Sequence, residues 1–124
     1  MSSPFWTIGC LSGASAVMLG AFGAHGLKAR INDPTRLANW GTAAQYQLIH
    51  SVALLVAEQA APKNVWAKSF FLAGITMFSG SIYCLVLDPA RFKFLGPVTP
   101  LGGTCLIAGW VALAVASRGR IAIA

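Results

Sequence analysis

Four apolar stretches, each long enough to cross a lipid bilayer, take up most of this 124-residue chain. They run over Phe5–Ala24, Thr42–Ala61, Phe70–Leu87 and Val98–Ala116. About 20 apolar residues, at a rise of 1.5 Å per residue, span a hydrocarbon core ~30 Å thick. The chain is therefore predicted to be all-α, an integral membrane four-helix bundle in one domain over residues 1–124, with helices at about 5–26, 34–61, 66–87 and 98–117.

The composition and the placement of charge argue against a soluble or nucleic-acid-binding protein. Residues of the AVILMFWYC set make up 56% of the chain and charged residues only 10%, against ~25% charged in an ordinary soluble domain. The net charge is +6, but the basic residues lie between and after the apolar stretches and form no basic face. They are expected to meet lipid headgroups, and nucleic acid is not an expected partner. One side of the membrane carries five of them and the other side four, so the positive-inside rule predicts no orientation.

The first and last helices carry small residues at helical spacing. Such spacing places them on one face, and small faces let helix backbones approach closely in lipid. We expect the tightest helix contacts of the bundle there, with a homodimer face as the alternative. The residues are Gly9, Gly13, Ala16, Gly20 and Ala24 in the first helix and Cys105, Ala108, Gly109, Ala112 and Ala116 in the fourth.

The second helix is predicted to begin at Asp33-Pro34, before the membrane does. An aspartate caps the first turn and a proline suits the first helical position. Trp40, which follows a short polar opening, is expected in the aromatic belt at the membrane surface.

Polar side chains inside the apolar stretches lie toward one half of the bilayer, the half nearest the first loop. A polar group buried in hydrocarbon costs free energy unless it finds a partner, so these residues form the candidate site. One interpretation is interhelical hydrogen bonding that fixes the packing, at about 0.6 kcal/mol for each bond. The other is a pocket for a lipid, quinone-like or small polar ligand, or a proton-handling site built on two histidines. The cluster consists of His25, Asn39, Tyr46, Gln47, His50, Ser79, Ser81, Tyr83 and Thr99.

Metal, cofactor and catalytic sites are not predicted. The two histidines have no third ligand at a fixed spacing, and the three cysteines form no C-x-x-C pair. No nucleophile–base pair or carboxylate dyad is evident, so the chain is not expected to be an enzyme.

Four motifs in chain order resemble those of one family, the domain-of-unknown-function 423 family, which includes bacterial YgdD and eukaryotic transmembrane protein 256. The resemblance implies a small four-helix membrane protein of the bacterial plasma membrane or of mitochondria, in eukaryotes the inner membrane, with no established activity, cofactor or substrate. These motifs supply every residue of the cluster except Asn39. They are Gly20–Leu27 (GAFGAHGL), Tyr46-Gln47 with His50, Phe78–Tyr83 (FSGSIY), and Thr99–Gly103 (TPLGG) followed by Gly109-Trp110.

Two functions are consistent with this sequence. The first is a structural or accessory subunit of a larger membrane protein complex, with lipids and other membrane subunits as partners. The alternative is a small transporter or a lipid- or quinone-binding protein that uses the polar half-membrane pocket. Transporters are commonly built from repeats with broken helices, and the first and last pairs of helices show no convincing repeat.

Overall fold

The computed structural model describes residues 4–117, with side chains as far as residue 115. That part of the chain folds into four long helices and contains no strand. They are α1 (Pro4–Leu27), α2 (Pro34–Ala60), α3 (Val65–Leu87) and α4 (Val98–Ser117), with a 3-10 turn at Lys93–Leu95. The predicted all-α four-helix fold is confirmed. Arg118, Arg120 and the side chain of Ala116 lie outside the described residues.

Two of the helices contain a π-helical turn. The last turn of α1, Gly23–Leu27, is π-helical, and so is Ile75–Ser79 in the middle of α3. A π turn accommodates more residues than an α turn, so it rotates the helix face that follows it. The first turn lies within the motif GAFGAHGL, and the second overlaps the start of the motif FSGSIY at Phe78 and Ser79.

The starts of α2 and α3 are both capped by side chains. Asp33 accepts a hydrogen bond from the Thr35 backbone N–H at 3.0 Å, and Pro34 follows as the first helical residue, so the predicted start of α2 is confirmed. Asn64 caps α3 by accepting from the Ala67 N–H at 3.1 Å. These bonds satisfy backbone donors that a helix start otherwise leaves without partners.

The order of the helices makes α2 the central member of the bundle. In the described part of the chain, α1, α3 and the segment Lys93–Val115 are long and apolar enough to cross a membrane. The segment α2 connects the end of α1 to the start of α3 and does not meet the same standard of length and apolarity. The helix α2 is more polar than the other three helices, and its polar side chains face neighbouring helices. Gln47, His50 and Ser51 are all buried.

Trp40 is not a membrane-surface residue, and the prediction that placed it in the aromatic belt was wrong. Its side chain is only 3% exposed, and its indole N–H donates to the Leu19 carbonyl of α1 at 2.7 Å. The ring packs against Tyr83 and Phe22, with centroids 4.7 and 5.7 Å away. Position along the sequence gives the depth of a residue, but rotation of the helix decides whether it faces lipid or protein.

Small residues line the contact between α1 and α2. Gly9 and Ala16 are buried, and a Cβ added to Gly13 or Gly20 would lie 3.8 Å from an α2 side chain, an ordinary contact. Ala24 was predicted on the same face, but it lies in the π turn and is exposed.

Small residues also line the contact between α3 and α4. Gly109 is buried under the Phe71 ring, where a Cβ would lie 2.7 Å from a ring carbon. Ala112 packs against the buried cluster around Phe71 and Leu54, and Ala108 is half-buried.

Candidate functional site

His50 lies in the middle of α2 with both ring nitrogens bonded. Its side chain is buried, and Nδ1 lies 2.8 Å from the Tyr46 carbonyl oxygen. The Trp110 indole N–H of α4 donates to Nε2 at 3.0 Å. An indole nitrogen can only donate, so Nε2 carries the lone pair and Nδ1 carries the proton that is donated to the carbonyl.

Gln47 joins three helices through its side-chain amide. Its Nε2 donates to the Ser12 carbonyl of α1 at 2.9 Å, and its Oε1 accepts from the Tyr83 hydroxyl of α3 at 2.7 Å. The Ser51 hydroxyl lies 2.7 Å from the Ser12 hydroxyl and 2.6 Å from the Gln47 carbonyl oxygen. One face of α2 is therefore bonded to both α1 and α3.

Two serines around the π turn of α3 continue this network. The buried Ser79 hydroxyl donates to the Ala43 carbonyl of α2 at 2.7 Å. The Ser81 and Thr99 hydroxyls share a hydrogen bond of 2.5 Å between α3 and α4. Six predicted cluster residues thus have a hydrogen-bonded side chain within the bundle; these are Gln47, His50, Ser79, Ser81, Tyr83 and Thr99.

The other three predicted residues lie on the surface of the bundle. His25, in the π turn of α1, and Asn39, near the start of α2, are exposed, and neither side chain has a hydrogen bond to the described residues. Tyr46 is 41% exposed, and its ring packs on His50 and Phe78 with centroids 5.8 and 4.9 Å away. The structure therefore brings together the deeper residues of the cluster and leaves its outer members apart.

Sequence reasoning missed Ser12 and Trp110, which complete the network. Ser12 directly precedes Gly13 of the small-residue stripe, so it lies beside the face that packs on α2. Trp110 lies too deep in α4 to belong to an aromatic belt at the membrane surface. This depth indicates from the sequence alone that its N–H needs a hydrogen-bond partner inside the bundle.

A second polar site, at the opposite end of the bundle, is an ion pair. The Lys68 ammonium lies 2.9 Å from a Glu58 carboxylate oxygen, with side chains 5% and 11% exposed. It also donates to the Pro62 carbonyl at 2.6 Å and lies 5.0 Å from the centroid of the Phe5 ring. The pair holds the start of α3 to the end of α2.

The buried polar groups of these sites have hydrogen-bond partners within the protein. Within residues 4–117, no buried side-chain nitrogen or oxygen lacks a hydrogen-bond partner. No group of three or more histidine, cysteine or acidic side chains in that range could hold a metal ion. The hydrogen bonds of Gln47, Ser79 and Trp110 join α2 to each of the other three helices.

Known proteins similar to this chain are membrane proteins. The family model described as "Protein of unknown function (DUF423)" matches residues 19–103. A UPF0382 membrane protein of Schizosaccharomyces pombe is 37% identical over 115 residues, covering 89% of this chain and 98% of that protein. One from Staphylococcus aureus is 44% identical over 117 residues, covering 91% and 93%. YwdK of Bacillus subtilis, also named a UPF0382 membrane protein, is 39% identical over 119 residues, covering 91% and 94%. No solved structure matches the chain.

Proposed function

Because the chain belongs to the DUF423 family, with bacterial and yeast membrane proteins among its relatives, we propose that it acts inside the bilayer as an accessory subunit. It would be a structural member of a larger membrane protein complex. One observation carries this proposal: the polar groups that the helices bury are bonded to one another in the described chain. The connecting segments 28–33, 61–64 and 88–97 are too short for a separate domain. Lateral contact through apolar helix faces is the interaction that this architecture favours.

The face best suited to a partner helix lies between α2 and α4. An apolar groove of about 570 Å³ runs there, with Val52, Val56 and Trp110 in its lining. Trp110 is 46% exposed on this side, while its N–H is bonded inward to His50. A large apolar ring held in one orientation by a hydrogen bond loses little entropy on binding, which is typical of an interface anchor.

Purification in a mild detergent tests the proposal. Tagged protein at native abundance is solubilised in digitonin and separated by blue native electrophoresis. The expected result is a band much larger than the 13.0 kDa chain, with partner subunits identified by mass spectrometry. Migration of the chain as a free monomer would contradict an accessory role.

A pair of matched variants tests the groove itself. Val52→Trp fills it from a residue that is 53% exposed, and the partner should be lost from the assembly. Met18→Trp adds the same bulk at a 65% exposed position of α1 that is not part of the groove lining, and the partner should be retained. Retention of the partner by both variants would exclude this face as the interface.

The competing proposal is transport, or binding of a quinone or small polar ligand, at the polar cluster. A ligand that bonds Nε2 of His50 would first have to displace the Trp110 N–H. His50→Ala separates the two proposals, since a transporter would lose flux or binding while an accessory subunit would at most be released from its complex. We propose no catalytic role, because no serine or cysteine hydroxyl or thiol is bonded to a histidine in the described residues.

The membrane in which the protein works is part of the same proposal. We place it in the plasma membrane of a bacterium or the mitochondrial inner membrane of a eukaryote. The support is that bacterial and yeast relatives match it over nearly its whole length. Fractionation of tagged protein checks this, and enrichment in another membrane would refute it.

A further inference from the structure

A continuous groove follows the outer surface between α1 and α2. Two cavities of about 430 and 580 Å³ share Gly20, Ala38 and Gly41 in their walls, so they form one channel along the helices. The channel begins at Lys28, where α1 has just ended, and extends to Leu48 in the middle of α2. The hydrogen-bonded side chains of the network do not line it, and it shares only Leu48 with the α2–α4 groove proposed for a partner.

The groove is held open by packed structure. Where α1 and α2 meet, the Trp40 indole lies against Gly23, and a Cβ on Gly23 would lie 2.8 Å from the indole nitrogen. The bond from Trp40 to the Leu19 carbonyl fixes that ring. Lower down, a Cβ on Gly41 would meet no atom within 4 Å, so the absent side chain leaves open space. The groove therefore exists before any ligand arrives, which lowers the cost of binding.

The distribution of charge along the groove matches an amphiphile with an anionic head. Lys28 is exposed at the mouth, at the level where α1 leaves the membrane. Among residues 4–117 the only ion pair joins Lys68 to Glu58, so the Lys28 ammonium has no carboxylate partner there. Below it the walls are almost entirely apolar or small. Basic pockets between transmembrane helices at the membrane surface bind anionic lipid headgroups.

We propose that this groove binds one anionic phospholipid, with its phosphate at Lys28 and an acyl chain lying over Gly20 and Gly41 toward Leu48. The lipid covers a surface where two helix backbones are nearly bare. It would bind in addition to any protein partner on the α2–α4 face.

Native mass spectrometry of the purified protein tests the proposal. The protein in detergent is incubated with phosphatidylglycerol or with phosphatidylcholine carrying the same acyl chains, and retained lipid is counted for each. We expect one phosphatidylglycerol per chain, with an affinity about fivefold above that of phosphatidylcholine, the effect of about one basic charge. Equal retention of the two lipids would overturn the proposal.

Two substitutions probe the two parts of the groove. Gly41→Leu fills the channel and should abolish retention, whereas Gly80→Leu, also at a helical glycine with no atom within 4 Å of an added Cβ, should leave retention unchanged. Lys28→Gln should weaken phosphatidylglycerol binding about fivefold, the effect of about one charge near the headgroups, and weaken binding of the zwitterionic phosphatidylcholine less. Lys93→Gln, an exposed cation at the same end of the bundle, is its matched control.

These experiments distinguish a bound lipid from the other molecules that could occupy the groove, a second copy of this chain or a helix of a protein partner. Normal lipid retention by Gly41→Leu would show that the lipid binds elsewhere and refute the proposal. If Gly41→Leu instead dissolves a dimer, or removes a protein partner from the digitonin complex, the groove holds a helix and not a lipid. The digitonin experiment on Val52→Trp is independent of this result, so the lipid site and the accessory role fail separately.

Discussion

The backbones of α3 and α4 lie very close together at Gly102, and a substitution there tests the packing of these two helices. A Cβ added at Gly102 would lie 2.7 Å from the Met77 carbonyl carbon and 2.7 Å from the Phe78 Cα. Favourable carbon–carbon contacts are about 3.5–4.0 Å. Both obstructing atoms belong to the backbone of the π turn, so no side-chain rotation can relieve the overlap. Gly102→Ala must therefore push α3 and α4 apart.

The neighbouring glycine is a matched control. A Cβ at Gly103 would lie 3.6 Å from a Phe78 ring carbon, which is an ordinary contact. Both substitutions gain the same helix propensity, up to about 1 kcal/mol, so that gain cancels when the two variants are compared. Overpacking costs about 1–3 kcal/mol. We expect Gly102→Ala to be about 1–3 kcal/mol less stable than Gly103→Ala.

The measurement is reversible unfolding in mixed micelles. Sodium dodecyl sulfate is titrated into protein in dodecyl maltoside, and helix content is followed by circular dichroism for both variants and the wild type. A difference below about 0.5 kcal/mol between the variants, or a lower stability for Gly103→Ala, would refute the close contact at Gly102.

The same assay tests three further contacts. Tyr83→Phe should cost about 0.6–1.7 kcal/mol, because it removes the bond to the Gln47 amide; a cost just as large in a Gln47→Leu background would contradict that bond. Glu58→Leu should cost about 3–5 kcal/mol, since it leaves the buried Lys68 ammonium without its carboxylate, whereas adding Lys68→Met should restore most of the loss. Trp110→Phe keeps an aromatic ring, smaller than the indole, but deletes the bond to the imidazole and should cost about 1 kcal/mol; unchanged stability would exclude that bond.

The sequence predicts the helices well and their rotations poorly. Apolar length and the Asp33-Pro34 cap depend only on nearby residues. The cap agrees with the structure, and apolar length holds for three of the four helices, with α2 as the exception. Whether a side chain faces lipid or protein depends on rotation about the helix axis, which neighbouring helices set. That is why Trp40 is buried where a surface tryptophan was expected. Ala24 does not lie on the small-residue face of α1 because it is in the π turn. The face was predicted from α-helical spacing, which a π turn does not keep.

The sequence predicts which region of the bundle holds the candidate site, but it does not predict which side chains are hydrogen-bonded to each other there. Burial cost alone requires that Gln47 and His50 face protein, and both do. The identity of their partners required the structure, since neither a serine beside the small-residue stripe nor a tryptophan in the fourth helix shows in the sequence which residue it bonds. The Ser12 carbonyl and the Trp110 N–H are such cases.

The polarity of α2 explains why this bundle has one arrangement in preference to many. Apolar helices in lipid gain little from one packing over another, because lipid tails are as apolar as leucine. Gln47 changes this, since a rotation of α2 that exposed its amide would leave two bonds unmade, to Ser12 and to Tyr83. Each such bond stabilises by less than about 2 kcal/mol, but all are lost together when α2 turns. The small residues of α1 and α4 set how closely the helices approach, and the polar side chains of α2 determine which faces meet.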